Sequence, residues 1–214
     1  MTSNLDVNAI YFQEITFGKA GQKMMDISFD SVSKAWDKKV IFQLTSDSNP
    51  LESKYGLSKL RENATDINKR SLDLTVDDPE LIRKISDIDD YVKEYAFKNS
   101  KAMFRKELNR EQINDRYSPI LKNKEGHIFI SLKTKIADKP TPTKVIENGT
   151  SMRNGTVEDI TPGSKVVPIV RLLSIWFMSD KFGISPQADK LIVFKAPPRA
   201  FLDDFLLENK YIVD

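Results

Sequence analysis

The chain has no cysteine among its 214 residues, which excludes disulfides, thiolate nucleophiles and Cys-ligated zinc. It has one histidine, His127. That rules out a histidine-rich metal site, and beside Gly126 in a strand-like stretch His127 is read as an ordinary strand or turn residue rather than a catalytic base. The eight glycines form neither of the common phosphate-binding loops, so nucleotide hydrolysis has no visible site. No apolar run is long enough to cross a bilayer. The opening MTSNLDVNAIYF lacks a basic stretch followed by an apolar core, so no signal peptide is expected. The sequons at Asn63, Asn148 and Asn154 are therefore expected to stay unmodified, and the two Asn-Gly pairs among them are read as turns. Adjacent carboxylates occur at Asp77-Asp78, Asp89-Asp90, Glu158-Asp159 and Asp203-Asp204. Neighbours on a helix or strand point apart, so such pairs are read as caps or solvated surface. A two-metal site assembled from distant carboxylates is the one enzymatic arrangement left open. The expectation is a protein without cofactor or metal and without enzymatic activity.

What is present is an ordinary globular composition, 40% hydrophobic and 30% charged. The net charge of +2 hides an uneven distribution. Residues 1–80 carry 10 basic and 13 acidic side chains, net −3; residues 81–199 carry 22 and 14, net +8; residues 200–214 carry 1 and 4, net −3. A basic body with an acidic end suits a protein that binds a polyanion. The competing explanation is a solvated surface with a slight bias.

The most apolar stretch runs from Gly163 to Phe194. Val166, Val167, Ile169, Val170, Leu172, Leu173, Ile175, Trp176 and Phe177 are β-branched or bulky enough to predict a strand buried on both faces. Ser179-Asp180-Lys181 is a polar turn, and Leu191 to Phe194 a second apolar run. The pair predicts a β-hairpin at the heart of a barrel or sandwich. Earlier in the chain, residues 1–9 are expected to be loose. Strands are expected over Ile10 to Phe17, Met24 to Phe29 and Val40 to Thr45, with a polar loop over Ser46 to Ser53. Lys54 to Lys69 is read as an exposed basic loop. Arg70 to Val76 alternates Leu72, Leu74 and Val76 against Ser71, Asp73 and Thr75, a half-buried strand.

Asp78-Pro79 is a helix start, with Leu81, Ile85, Ile88, Val92 and Tyr95 forming one apolar stripe over about 79–97. Asn109 with Gln112 has the spacing of a capping box and predicts a shorter helix near 109–116. Strands follow over Tyr117 to Leu121 and His127 to Ile136. In the second, Ile128, Ile130 and Leu132 face one way and Phe129, Ser131, Lys133 and Lys135 the other. Asp138 to Pro162 is expected to be a long mobile loop around one short strand near Val145.

Basic residues interleaved with aromatics survive as the candidate site. Tyr55 lies among Lys54, Lys59 and Arg61; Phe104 among Lys101, Arg105 and Lys106; Phe129 with Lys133 and Lys135; Trp176 with Arg171 and Lys181. Sequence-neutral binding of a single strand needs cations along the backbone and flat rings on which unstacked bases lie. Phe129 is the better stacking candidate because it shares a face with two lysines. For Trp176, Phe177 and Phe182 core packing competes with stacking. Arg171, inside an apolar strand, must reach an acid or a phosphate.

Several of these stretches carry a resemblance. They are KYGLSKL at 54–60, RSLDL at 70–74, IDDYVKEYAFKNSKAMF at 88–104 leading to YSPILK at 117–122, and IWFMSDKFGIS at 175–185. In the same order, they resemble stretches of the single-stranded DNA-binding proteins of large nucleocytoplasmic DNA viruses. The resemblance spans roughly residues 54–202. It implies an α+β fold: an OB-like, mainly antiparallel β-barrel with one long and one short helix, related to podophage single-stranded DNA-binding proteins. Residues 1–199 would form a single nucleic-acid-binding domain.

The function implied is coating of single-stranded DNA exposed in viral replication, recombination or repair, in the host cytoplasm or nucleus or packaged in the virion. The alternative is a virion structural or nucleoid-packaging protein that binds DNA or protein through surface charge. Residues 200–214 place Asp203, Asp204, Glu208 and Asp214 among aromatic and apolar residues. This tail has two readings: a peptide that competes with DNA and recruits replication proteins, or an element that docks on the body or on a second copy of the chain.

Overall fold

A computed structural model describes residues 5–6, 15–17, 24–29, 40–58, 68–147 and 151–195. The tail, Lys59 and Arg61, and residues 10–14 of the expected first strand lie outside the described residues.

The long apolar stretch forms β12 (Ser164–Met178) and β13 (Lys181–Phe194), antiparallel and joined at Ser179-Asp180. Val166 to Val170 are buried without interruption. The free edge of β12 is lined in succession by three short strands: β5 (Leu51–Ser53) at Ser164 to Val166, β4 (Val40–Gln43) at Ile169 to Leu172, and β3 (Met24–Phe29) at Ser174 to Trp176. Two strands extend this side. β2 (Ile15–Phe17) pairs with β3, and β1 (Leu5–Asp6) pairs in parallel with β4, in a segment expected to be loose.

The barrel closes through β6 (Lys69–Thr75) and β9 (His127–Lys135). β5 pairs with β6, β6 with β9, β9 with β13 and β13 with β12, which returns to β5. Only the β9–β13 seam is parallel. Counted along the chain these five strands are ordered 1-2-3-5-4-1, the connectivity of an OB-type Greek-key barrel. The interior is filled by Leu72, Leu74, Ile130, Leu132, Val166, Val170, Leu172 and Phe182, all buried.

Between β6 and β9 the chain leaves the barrel. Helix α1 (Pro79–Lys98) starts as its sequence dictates: the Asp78 side chain accepts from Glu80 N at 2.9 Å, and Pro79 occupies the first turn. Leu81, Ile85, Ile88 and Val92 are buried in one stripe, which continues through Ala96, while Tyr95 is half-buried. A short α2 (Ser100–Phe104) precedes α3 (Arg110–Arg116), whose Asn109–Gln112 capping box is formed in both directions. Among the described residues no helix is long and apolar enough to cross a membrane.

Three expectations need correction. Leu51–Ser53 is the first barrel strand, not part of a polar loop. The segment expected as one strand from Tyr117 to Leu121 is two, β7 (Tyr117–Ser118) and β8 (Leu121–Lys124), interrupted at Pro119, which has no N–H to donate to a ladder. In the segment 138–162 the short strand expected near Val145 forms as β10 (Thr143–Glu147), but the rest is not one long loop: β11 (Ser151–Gly155) pairs antiparallel with β10, and β10 docks in parallel on β13. Arg153 fixes that pair by bonding both Glu147 and Asp159, at 2.9 and 2.6 Å.

Phe182 is fully buried and touches Phe104, Phe177 and Tyr117 with ring centroids 5.1, 6.4 and 5.2 Å away. Replacing Phe182 by Ala should cost about 3–5 kcal/mol in a chemical denaturation experiment. Leu173, 39% exposed on the same hairpin, should tolerate Ala within about 0.5 kcal/mol. Equal losses at the two positions would contradict this packing.

Candidate nucleic-acid interface

The outer face of the β6–β9 ribbon carries three of the sequence-nominated residues, Phe129, Lys133 and Lys135, and brings Lys54, Tyr55 and Trp176 to its edges. Register alone places them. Lys69 lies opposite Lys135, Ser71 opposite Lys133, Asp73 opposite Ser131 and Thr75 opposite Phe129. Directly opposed residues share a face, so these side chains point away from the core that Leu72, Leu74, Ile130 and Leu132 fill. On the other edge of β9, β8 adds Lys122 opposite Phe129 and Lys124 opposite His127. The two strands are joined by Glu125-Gly126, both at positive φ, the two-residue turn whose twist suits a hairpin.

Two concavities open on this face. The first, about 80 Å³, lies between Tyr55 and Phe129, with Lys54, Asp73, Lys124 and His127 around them. Tyr55 is 59% exposed, and the Lys54 ammonium sits 5.7 Å from its ring centre and 3.2 Å from His127 Nε2. Asp73 is the acid in this group.

The second concavity, about 180 Å³, exists because β9 changes partner. Its first half, through Ile130, pairs with β8, and at Lys133 it meets β13 through Gln187. The gap is walled by Ser118-Pro119-Ile120 on one side and Ile184-Ser185-Pro186 on the other, with Trp176 and Lys133 facing in. Burial, and then the charge of Lys69, lowers the Lys133 ammonium below the usual lysine range. Trp176 lies opposite Gly183, and a Cβ there would stand 2.6 Å from the Ser118 carbonyl oxygen and 3.1 Å from the indole. Glycine is what lets β7 and the indole both close on β13.

Other nominated residues are engaged elsewhere. Phe104 packs edge-on against Phe177 at 5.8 Å and Phe182 at 5.1 Å. Phe177 and Trp176 are neighbours on one strand and point to opposite faces, so Phe104 lies across the hairpin from the second concavity. Lys101, Arg105 and Lys106 are exposed around it and line neither concavity. Arg171 answers its burial with an acid: its guanidinium bonds the Asp189 carboxylate on β13. Lys181 donates to the Asp115 backbone carbonyl at 2.6 Å, at the C-terminal turn of α3. Lys69, Lys122, Lys124 and the wall serines were not nominated from the sequence. For Lys122 and Lys124 the signal was present as alternation ahead of the Glu125-Gly126 turn. The serines carried none.

The matched sequence pattern covers residues 61–207 and describes a family of unknown function, DUF5871. The chain belongs to that family. Among the described residues, its matched region takes in four of the five barrel strands, α1 to α3 and the β8–β9 hairpin, and leaves β1 to β5 outside. No curated protein matches this DUF5871 chain. Among the described residues no group of three or more histidine, aspartate and glutamate side chains is placed to hold a metal ion.

One buried carboxylate fixes the wall of the second concavity. Asp89, on the core-facing stripe of α1, accepts from Tyr117 Oη at 2.6 Å and from Ile120 N at 3.1 Å. Burial raises its pKa; these two hydrogen bonds and Lys93 lower it, and Asp90 raises it slightly. Burial wins, and the group is pushed up to about 6. The Tyr117 phenol is pushed up by burial and by Asp89. Between the ordinary aspartate value and about 6, the folded chain holds a proton that the unfolded chain has released. Stability from this group therefore falls as pH rises through that window. The stability of the native chain relative to Asp89→Asn should drop by roughly 3 kcal/mol between about pH 4 and pH 7. Urea denaturation across that range measures it, and a pH-independent difference would refute the assignment.

Proposed function

We propose that this chain is a non-enzymatic single-stranded DNA-binding protein, coating strands exposed during viral DNA replication, recombination or repair. The observation that carries the reading is the outer face of β6 and β9. On an OB-type barrel the faces of strands 2 and 3, and the loops joining strands 1–2 and 4–5, bind oligonucleotides. Here β6 and β9 are strands 2 and 3, and Lys54 and Tyr55 open the first of those loops. The ribbon and its β8 extension carry Lys122, Lys124, Lys133 and Lys135 beside Phe129. Cations in a line with a partly exposed ring suit a backbone track with stacked bases and offer no means of reading base edges. The resemblance to single-stranded DNA-binding proteins of large nucleocytoplasmic DNA viruses supports the same reading. Lys59 and Arg61 belong to the same loop by sequence. The tail supports recruitment of replication proteins or of a second copy only by its composition.

Replacing Lys133 and Lys135 together by Ala should weaken binding to oligothymidylate and flatten its salt dependence by about 1.4 in log–log slope, because two fewer phosphates are neutralised. Phe129→Ala should cost about 1–3 kcal/mol of affinity and leave the slope unchanged. Fluorescence titration against a duplex of equal length separates the competing packaging role. Duplex bound as tightly as single strand, or slopes untouched by the lysine changes, would overturn the reading.

A further inference from the structure

The gap between β8 and β13 has a chemistry of its own. Its polar lining is Lys122, Lys133 and the hydroxyls of Ser71, Ser118, Ser131 and Ser185. No carboxylate lines it, in a chain with 31 acidic side chains. Among the described residues neither lysine is ion-paired, and no protein group bonds any of the four hydroxyls. Two ammonium groups and four hydroxyl donors, with no carboxylate among them, are the donor set that suits an anion. One wall is the half-buried indole of Trp176, so the anion would lie next to a flat ring. The opposite wall is held in place before any ligand arrives, by Asp89 on Tyr117 and Ile120 and by the close approach of Ser118 to Gly183. Preorganised donors lose little on binding.

We propose that this cavity seats the phosphate of one nucleotide, gripped by Lys122 and Lys133, with that nucleotide's base against Trp176. The inference deepens the function proposed above and rests on it only for the polymer to which the phosphate belongs. The same chemistry can come from a terminal phosphomonoester or from an internal phosphodiester. A phosphate beside Lys133 would also supply a counter-anion that opposes the burial and the Lys69 charge lowering its pKa.

The indole N–H signals of the two tryptophans, Trp36 and Trp176, report on the site in the full chain, with Trp36→Phe used to assign them. If that variant fails to fold, Trp176→Phe makes the same assignment. Thymidine monophosphate should shift the Trp176 signal, inorganic phosphate should compete with it, and thymidine should leave it unmoved at equal concentration. Lys122→Ala with Lys133→Ala should weaken the monophosphate about tenfold or more, as expected for lost charged hydrogen bonds. Oligothymidylates with and without a terminal phosphate then identify the source: tighter binding of the phosphorylated form marks a strand end, and equal binding an internal phosphodiester. A Trp176 signal that responds equally to thymidine and its monophosphate overturns the proposal. So does one that stays still while the oligomer binds, although that result leaves strand binding itself standing. Mononucleotide binding without oligomer binding does the reverse.

Discussion

Both edges of β12 are hydrogen-bonded along most of its length, and the rest of the molecule is arranged by that constraint. A strand buried on both faces has no exposed surface on which to leave an amide or carbonyl unpaired. β13 supplies one edge as the return arm of the hairpin. The other edge is too long for any one of its neighbours, and β5, β4 and β3 share it end to end. Recruiting β5 at the first third is what closes the barrel, because β5 also meets β6. Closure is thin at two seams, where one register pair joins β5 to β6 and one joins β9 to β13. The second thin seam is the gap that becomes the Trp176 cavity.

That dependence explains which parts of the fold were legible in the sequence. Local signals sufficed for the β12–β13 hairpin, for α1 with its Asp78-Pro79 start, for α3 with its capping box, and for the alternation of β9. Each is set by residues within a few positions of one another. β5 is three residues, Leu-Glu-Ser, with one apolar side chain, and only the free edge of β12 makes it a strand. β10 was legible as a short strand near Val145, but β11 and its pairing with β10 were hidden for a similar reason. Their Asn-Gly pairs signal turns, and the docking surface that orders them is β13, more than forty residues further along.

The candidate site divides the same way. Phe129, Lys133 and Lys135 could be placed on one outward face because a strand has period two. Phe104 and Arg171 could not be judged from composition, because their partners, Phe177 with Phe182 and Asp189, are brought in by tertiary contact. An aromatic flanked by cations satisfies the compositional pattern whether its ring is free or packed. Tyr55 and Phe129 keep exposed ring surface at a concavity, while Phe104 spends its ring on the core. The buried Asp89 ties the two halves together. It couples the helix that covers the barrel to the wall of the cavity on its outside, so stability and site geometry share one carboxylate.

Amide hydrogen exchange of the full chain, with and without a saturating oligothymidylate, tests most directly whether the β6–β9 face is where a strand lies. If it is, protection should rise at residues 54–58, over Lys122 to Lys135 and at Trp176, while the exposed face of α1 and the β10–β11 pair stay unchanged. Protection confined to the helices or to β10–β11, or no change on the β6–β9 ribbon while the oligomer is bound, would contradict it.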